Sequence, residues 1–246
     1  MAKVKIIEAS DRGILSPLLN ERAASDALAA YYALYHPSDK VKLFASYSGS
    51  DQIRGFLVVA LTGMDLFRPL AVPFVASEDV LHDLMKAALS PSRPVVVLLP
   101  LEQRDWGEAI LDFTEIGISE LFRLEPQNFE PILNVLVVEV DTPGGLPRYE
   151  IRSKTGAFAA SGVNWVGDRF AEVYVEANTE GQSRSFATSV LSAIIQRMLG
   201  ENVVPLFRQE DLAAVNTANL EELGFRPTGT RLMTAGAILK LDDEIK

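Results

Sequence analysis

Residues 170–199 read FAEVYVEANTEGQSRSFATSVLSAIIQRML, and they predict a buried strand, a short polar loop and a long helix over 183–199. Small and hydroxyl residues crowd the loop and the first helical turn, among them Thr179, Gly181 and Thr188. A strand that leads into a helix N-terminus presents several unpaired backbone N–H groups at one place. With the helix dipole, these groups favour an anion, usually phosphate. The stretch therefore predicts a phosphate-binding loop.

The pattern on either side of this stretch predicts alternating strands and helices. Downstream we expect strands at 203–207 and 231–239 around a helix at 212–223 that ends at Gly224. Upstream in the second half, strands are predicted at 132–140, 149–153 and 156–165. The first half predicts helices at 14–34, 77–89 and 102–124, a hairpin of 41–47 with 53–61, and a buried strand at 94–99. The order indicates an α/β protein with a mixed sheet.

Charge and composition exclude several classes of function. The chain has a net charge of −10, with 12 basic and 17 acidic residues in 1–128 and 11 and 16 in 129–246. Neither half has the concentrated basic surface that nucleic acids require. The first ten residues contain no signal-peptide core, and no apolar run approaches the length of a membrane span. We expect a cytoplasmic protein that binds neither nucleic acid nor membrane.

The cysteine and histidine content is equally restrictive. There are no cysteines and only two histidines, His36 and His82. Disulfides, thiolate nucleophiles and cysteine-type zinc sites are thereby excluded. A metal centre or a Ser-His-Asp triad is not expected from two histidines so far apart in sequence.

Two local motifs give the second half a resemblance to the Gcn5-related N-acetyltransferase (GNAT) superfamily. The family's coenzyme A loop is Arg or Gln, two residues, Gly, one residue, then Gly or Ala. Here residues 182–187 read QSRSFA, after a strand and at the start of a helix. The family's last helix ends in Leu-Gly-Phe before the final strand, and residues 223–225 read LGF. The resemblance covers about residues 150–240 and implies the acyl-CoA N-acyltransferase fold.

This resemblance implies where acetyl-CoA, the expected cosubstrate, would bind. Backbone N–H groups of a loop of small residues can approach a pyrophosphate closely. By resemblance, Ala177 occupies the place of a family valine, and Val175 would offer a backbone N–H to the thioester carbonyl. The implied pyrophosphate loop is Gln182, Ser183, Arg184, Ser185, Phe186 and Ala187.

The resemblance also implies catalytic positions, some of which depart from the family pattern. A glutamate on this strand can serve as general base in the family, and Glu172 lies one position from it. The alternative for Glu172 is a solvated strand face or an ion pair with Arg152 or Arg169. Ser185 replaces the loop's central glycine. The family's asparagine and tyrosine on the last helix correspond to Ala213 and Leu220.

We divide the chain into residues 1–128 and 129–246, the second being the GNAT-like acetyl-CoA-binding domain. The first half has an element order compatible with a degenerate copy of the same fold, which would give a tandem arrangement. Residues 74–81, FVASEDVL, lack the glycines and the basic residue of a phosphate loop. The first half would then be an accessory domain without a coenzyme site.

Three hypotheses follow for function. The first is an acyl-CoA-dependent N-acyltransferase that transfers acetyl from acetyl-CoA to a primary amine by direct attack in a ternary complex, without a metal. The second is a catalytically silent GNAT-fold protein that binds acyl-CoA or another ligand as a regulator or scaffold. The third is an unrelated α/β module with an apolar ligand cleft. The acceptor is a small-molecule or peptide amine in the first case, and a homodimer is compatible with all three.

Overall fold

The structure is a computed structural model that describes residues 3–63, 65–183, 185–210 and 215–241. For Ser183 it describes the backbone and not the side chain. The chain forms two compact units, one of Met1–Ile118 with Arg231–Lys246 and the other of Ser119–Thr230. We call them the first and the second unit. Their boundaries fall inside two strands, Leu111–Leu124 and Phe225–Leu239, and not at the predicted division between 128 and 129.

The first unit contains a sheet with strand order β1-β2-β3-β4-β5-β12. Only β4 and β5 are parallel neighbours, and α2 connects them. The helix α2 packs its buried side chains on the sheet, including Leu81 and Leu84. The strands are β1 Lys3–Ile7, β2 Val41–Tyr47, β3 Ile53–Ala60, β4 Leu70–Val75, β5 Val95–Pro100 and parts of β6 Leu111–Leu124 and β12 Phe225–Leu239; the helices are α1 Ala27–Ala30, α2 Glu78–Ala88 and α3 Arg104–Glu108.

The second unit repeats this arrangement, with strand order β6-β11-β10-β9-β8-β7. The neighbours β10 and β11 are parallel and are connected through α4 and α5. Apolar residues at helical spacing on α5 fill the core of this unit, as the sequence predicts. Its further elements are β7 Val138–Val140, β8 Arg148–Arg152, β9 Phe158–Val166, β10 Phe170–Ala177, β11 Val204–Glu210, α4 Thr179–Ser183, α5 Phe186–Gly200 and α6 Thr217–Glu222.

Two predictions for the first half are wrong. Residues 102–124 form only the short α3, followed by the 14-residue strand β6. Because Phe113, Thr114 and Ile118 favour extended backbone, strand pairing prevails over the apolar spacing that resembled a helix. Residues 14–34 contain a 3-10 segment (Ala9–Leu18), α1 and a π-helical turn (Tyr31–Tyr35) in place of one helix. Pro17 lies inside the first of these and cannot donate a helical hydrogen bond.

Two further predictions are too long. Of residues 132–140 only Val138–Val140 form a strand, because the preceding segment hydrogen-bonds to α5. The Ile132 N–H donates to Ser192 Oγ (2.8 Å), and Asn134 donates to Ser189 Oγ (3.1 Å). In the described part of the 212–223 segment, the helix is confined to Thr217–Glu222, and residues 212–214 lie outside the described residues. None of the described helices combines the length and the apolarity needed to cross a membrane.

Candidate coenzyme and acceptor site

The candidate site lies in the second unit, where the parallel strands β10 and β11 separate. They are paired from Phe170 with Val204 to Val173 with Phe207. Beyond these residues β10 pairs only with β9, as far as Ala177, and β11 pairs only with β6, as far as Glu210. Each strand thus stays paired with its outer neighbour after it has separated from the other. The backbone groups that face each other across the gap are then unpaired.

A cleft of about 420 Å³ occupies this gap. Its size falls in the range of small-ligand sites. Four of the predicted site residues line it: Glu172, Val175, Ala177 and Gln182. Its other lining residues are Asn164, Val173, Tyr174, Glu176, Phe207, Arg208 and Glu210. Glu210, the last residue of β11, is exposed.

The predicted polar loop is a turn of helix, α4, held against the β9 strand by Asn178. The Asn178 Oδ1 accepts hydrogen bonds from the N–H groups of Phe158 (3.0 Å) and Gly181 (2.9 Å). Gly181 lies so close to β9 that an added Cβ would be 2.0 Å from the Phe158 carbonyl oxygen. Gln182 is exposed, and its side chain donates to the Ala177 carbonyl at 3.4 Å. Arg184 and the Ser183 side chain lie outside the described residues.

The helix α5 begins just beyond this turn, at Phe186. The Ser189 N–H donates to the Ser185 carbonyl (3.2 Å), and the first N–H groups of a helix generally lack partners within that helix. The Ser185 side chain makes no capping hydrogen bond. Phe186 and Ala187 are buried, which fixes this end of the helix on the sheet. A helix N-terminus favours an anion in general, and the anion site at residues 182–187 stays a prediction.

Ser185 joins α4 to α5 in the left-handed region, with φ 57° and ψ 24°. The family that the second half resembles has glycine at this position. Left-handed backbone is strained for residues with a Cβ. We expect Ser185→Gly to raise the free energy of unfolding by about 1 kcal/mol. Chemical denaturation checks this, with Thr188→Gly as a control that should lower stability by a similar amount inside the helix. A lower stability for Ser185→Gly would contradict the strain argument.

Glu172 is deeply buried, with 3% of its surface exposed. Its carboxylate accepts four hydrogen bonds from three neighbouring side chains. Oε1 accepts from Asn164 Nδ2 (2.8 Å) and from Arg208 Nε (3.0 Å) and Nη2 (2.8 Å). Oε2 accepts from Trp165 Nε1 (2.9 Å). A β-bulge between Glu172 and Val173 lets the adjacent Asn164 and Trp165 reach the same carboxylate. The ion-pair partner of Glu172 is therefore Arg208, and not Arg152 or Arg169 as predicted.

A second network orders the same face of β10 further along the strand. Arg148 on β8 donates to the Tyr174 hydroxyl (2.5 Å), to Glu150 (2.9 Å) and to Glu176. Burial disfavours the charged form of Arg148, but its hydrogen bonds to Glu176, Glu150 and Tyr174 outweigh burial and raise its pKa. The ring of Tyr174 lies over Gly162, where an added Cβ would be 2.7 Å from the hydroxyl. Tyr174 and Glu176 are thereby held at the wall of the cleft.

The family's catalytic positions on the last helix are not reproduced among the described residues. Leu220, at the place of the tyrosine, is fully buried in the core of the second unit. Asn216 caps α6 by accepting from the Asn219 N–H (2.9 Å), which gives it a structural role. Ala213 lies outside the described residues.

The first unit has the corresponding gap between β4 and β5, but a side chain fills it. These strands pair only from Leu70 with Val96 to Ala71 with Val97 before they separate. The buried Gln103 side chain donates to the Val75 carbonyl (3.0 Å) at the end of β4. The N-terminus of α2 carries Glu78 and Asp79, which would repel a phosphate. This unit has the strand topology of the second, with two acidic residues where the second unit has the candidate anion site.

Sequence reasoning missed Arg208, Asn164 and Arg148, and it placed Trp165 in the core or at a cleft wall without a specific role. Arg208 directly follows residues 203–207, which are predicted to be a buried strand, and a charge at that place signals a buried partner. The remaining three lie on strands whose register, including the bulge, determines what they contact. Within the described residues, no group of three or more His, Asp or Glu side chains could hold a metal ion.

Solved structures with a similar fold include Gcn5-related N-acetyltransferases. A tandem GNAT protein from the clavulanic acid biosynthesis pathway is 13% identical, with 99% of this chain and 100% of that chain covered and a TM-score of 0.63. A GNAT-family acetyltransferase from Colwellia psychrerythraea is 14% identical over 97% and 100% (TM-score 0.54). A Gcn5-related N-acetyltransferase from Kribbella flavida is 16% identical over 75% and 88% (TM-score 0.56). No protein-family model and no curated protein sequence matches the chain.

The chain therefore has the GNAT acetyltransferase fold, as predicted from its second half. The match to a tandem GNAT protein over nearly the whole chain supports the tandem arrangement, as does the repeated strand–helix–strand pattern of β4-α2-β5 and β10-α5-β11. At this level of identity the likeness concerns the fold, and the chemistry must be argued from the site.

Proposed function

We propose that this protein is an acyl-CoA-dependent N-acyltransferase with one coenzyme site per chain, in the second unit. The observation that carries the proposal is the open cleft between β10 and β11, with the uncapped N-terminus of α5 beyond Gln182 at its mouth. The pyrophosphate of acetyl-CoA would bind at residues 182–187, and the pantetheine arm would lie along β10. Val175 would donate its backbone N–H to the thioester carbonyl.

In the proposed reaction a neutral primary amine attacks the thioester carbonyl carbon, the C–S bond breaks, and coenzyme A leaves as its thiolate. Positioning of both substrates in the cleft would supply much of the rate. The attacking ammonium must first lose a proton. The sequence predicts Glu172 as the base. Its carboxylate, however, accepts four hydrogen bonds, two of them from Arg208, which favours a role in holding that side chain. Glu210, exposed and lining the same cleft, is better placed to accept that proton.

Coenzyme binding is tested by titration calorimetry with acetyl-CoA. We expect one molecule bound per chain, and an affinity roughly three- to tenfold lower for Gln182→Ala, because one hydrogen bond to the ligand is lost. Gln196→Ala, exposed further along α5, is the matched control and should bind like the unmodified protein. Absence of binding would refute the proposed function, and two sites per chain would refute the filled cleft of the first unit.

Turnover is tested by release of free thiol from acetyl-CoA against a panel of primary amines. Glu210→Gln should lower kcat by roughly 100-fold near neutral pH if this carboxylate is the base. The loss should shrink at high pH, where the amine is already neutral. Glu222→Gln, exposed on α6, is the control. An equal loss at every pH would contradict the role of Glu210 as base.

The competing function is a catalytically silent protein that binds acyl-CoA as a regulator or scaffold. Two observations favour it: Glu172 is engaged by Arg208, and Leu220 is buried where the family places a tyrosine. Calorimetric binding of acetyl-CoA without thiol release across the amine panel would support this function over catalysis.

A further inference from the structure

The first unit contains a groove of about 900 Å³ that is separate from the filled gap between β4 and β5. We call it the basic groove. Its floor is apolar and includes Phe44, Val59 and Val95, and its rim carries Lys40, Lys42 and Arg93. A large apolar concavity with a few polar groups at its edge is typical of a ligand site.

The basic groove exists because α2 is shorter than the strands it covers. An α-helix of 11 residues is roughly 16 Å long, whereas the eight residues of β3 extend over about 27 Å. Lys42 is paired with Val59, and Phe44 lies two residues beyond Lys42 on the same face of the sheet. The helix ends at Ala88, so this end of the face is left without a helical cover, and Ala88 and Leu89 form part of the groove wall.

A hydrogen-bonded turn beside the groove exposes two apolar side chains to solvent. Asp65 accepts hydrogen bonds from the N–H groups of Phe67 and Arg68 (both 2.9 Å) and from Arg68 Nε (2.6 Å). These bonds lower the pKa of Asp65 to about 2. Leu66 and Phe67 are nevertheless 83% and 91% exposed, and Phe67 lines the groove. An ordered turn that exposes an aromatic ring next to an apolar floor indicates a surface that a ligand covers.

The rim has a charge opposite to that of the chain as a whole. The lining contains three cations, Lys40, Lys42 and Arg93, and one acid, Asp39, whereas the chain has a net charge of −10. None of the three cations forms an ion pair with another residue that the structure describes. Cations gathered at an apolar opening attract a ligand that has a negative group at one end of an apolar body.

We propose that the basic groove binds a single-chain amphiphile with an anionic head group, of the fatty-acid type. Its hydrocarbon chain would lie on Phe44 and Val59 under the ring of Phe67, and its carboxylate would lie between Lys42 and Arg93. Each buried CH₂ contributes about 0.8 kcal/mol, so the apolar floor provides affinity and the rim selects the charge of the head group. The volume of the groove, about 900 Å³, falls in the range of small-ligand sites.

The experiment is calorimetric titration of the full chain with dodecanoate below its critical micelle concentration, without coenzyme. We expect saturable binding of one molecule, weakened roughly three- to tenfold by Lys42→Glu and by Arg93→Glu. Phe67→Ala should also weaken binding without unfolding the protein, since this ring is exposed. Lys154→Glu, the same charge change on an exposed turn of the second unit, is the matched control and should bind normally.

Two comparison ligands make the proposal falsifiable. Dodecyltrimethylammonium has the same tail with a positive head group and should bind much more weakly; equal affinity would overturn the assignment of the rim. Cosedimentation with anionic phospholipid vesicles, in the absence of dodecanoate binding, would mean that the surface binds membranes and would overturn the proposal. Absence of any dodecanoate binding would overturn it as well.

Discussion

Glu172→Gln is expected to lower the free energy of unfolding by roughly 3–5 kcal/mol, the cost of breaking a buried ion pair from one side. The Arg208 side chain is 18% exposed and Glu172 is 3% exposed, so the unpaired guanidinium would remain largely out of water. A carboxamide also has a single acceptor oxygen, whereas both oxygens of Glu172 accept bonds. The amide nitrogen would therefore face another donor. Urea denaturation measures the loss.

The control for this variant lies on the same strand and the same face. Glu176 pairs with Arg148 but is 51% exposed, so Glu176→Gln should cost less than about 1 kcal/mol. Combining Glu172→Gln with Arg208→Gln should recover part of the stability, because the unpaired charge is removed. If Glu172→Gln and Glu176→Gln are equally mild, the buried pair does not stabilise the unit as argued.

The fold could be predicted because its most informative elements depend on local pattern. The alternation of β10, the glycine and serines of the loop and the helical spacing on α5 are each decided by neighbours within a few residues of one another. The Leu-Gly-Phe end of α6 is similar: Gly224 has φ 90°, which glycine adopts without strain. Over residues 111–124 the apolar spacing favoured a helix and the β-prone residues favoured a strand, and pairing with neighbouring strands decided between them.

The contacts of the candidate site could be predicted only in part. Placement of Glu172, Val175 and Ala177 at the cleft follows from their positions on one strand beside a parallel neighbour. The partner of Glu172 depends on which residues of β9 and β11 lie opposite it, and a β-bulge shifts one of these registers. A shift of one residue exchanges the faces of a strand, so no local pattern identifies Arg208 as the partner of Glu172. The side chain that fills the gap in the first unit, Gln103, is likewise 28 residues from its acceptor, Val75.

Gly181→Ala is expected to weaken coenzyme binding at least about tenfold and to lower the free energy of unfolding by roughly 1–3 kcal/mol. The new Cβ would lie 2.0 Å from the Phe158 carbonyl oxygen, a backbone atom that cannot rotate away. The turn α4 must then move off β9 and strain the hydrogen bonds of Asn178 to Phe158 and Gly181. Calorimetry with acetyl-CoA and urea denaturation measure the two effects.

This displacement should reach the coenzyme site because the elements are consecutive. Gln182 is adjacent to Gly181, and the Ser185 N–H donates to the Gln182 carbonyl (3.0 Å) where α5 begins. Gly200→Ala is the matched control, since a Cβ at the exposed end of α5 would meet nothing within 4 Å and its φ is not positive. That variant should bind acetyl-CoA normally and unfold at an unchanged or slightly higher denaturant concentration. Unaltered affinity in Gly181→Ala would mean that coenzyme does not bind at this loop, because no backbone adjustment admits the methyl group while leaving α4 in place.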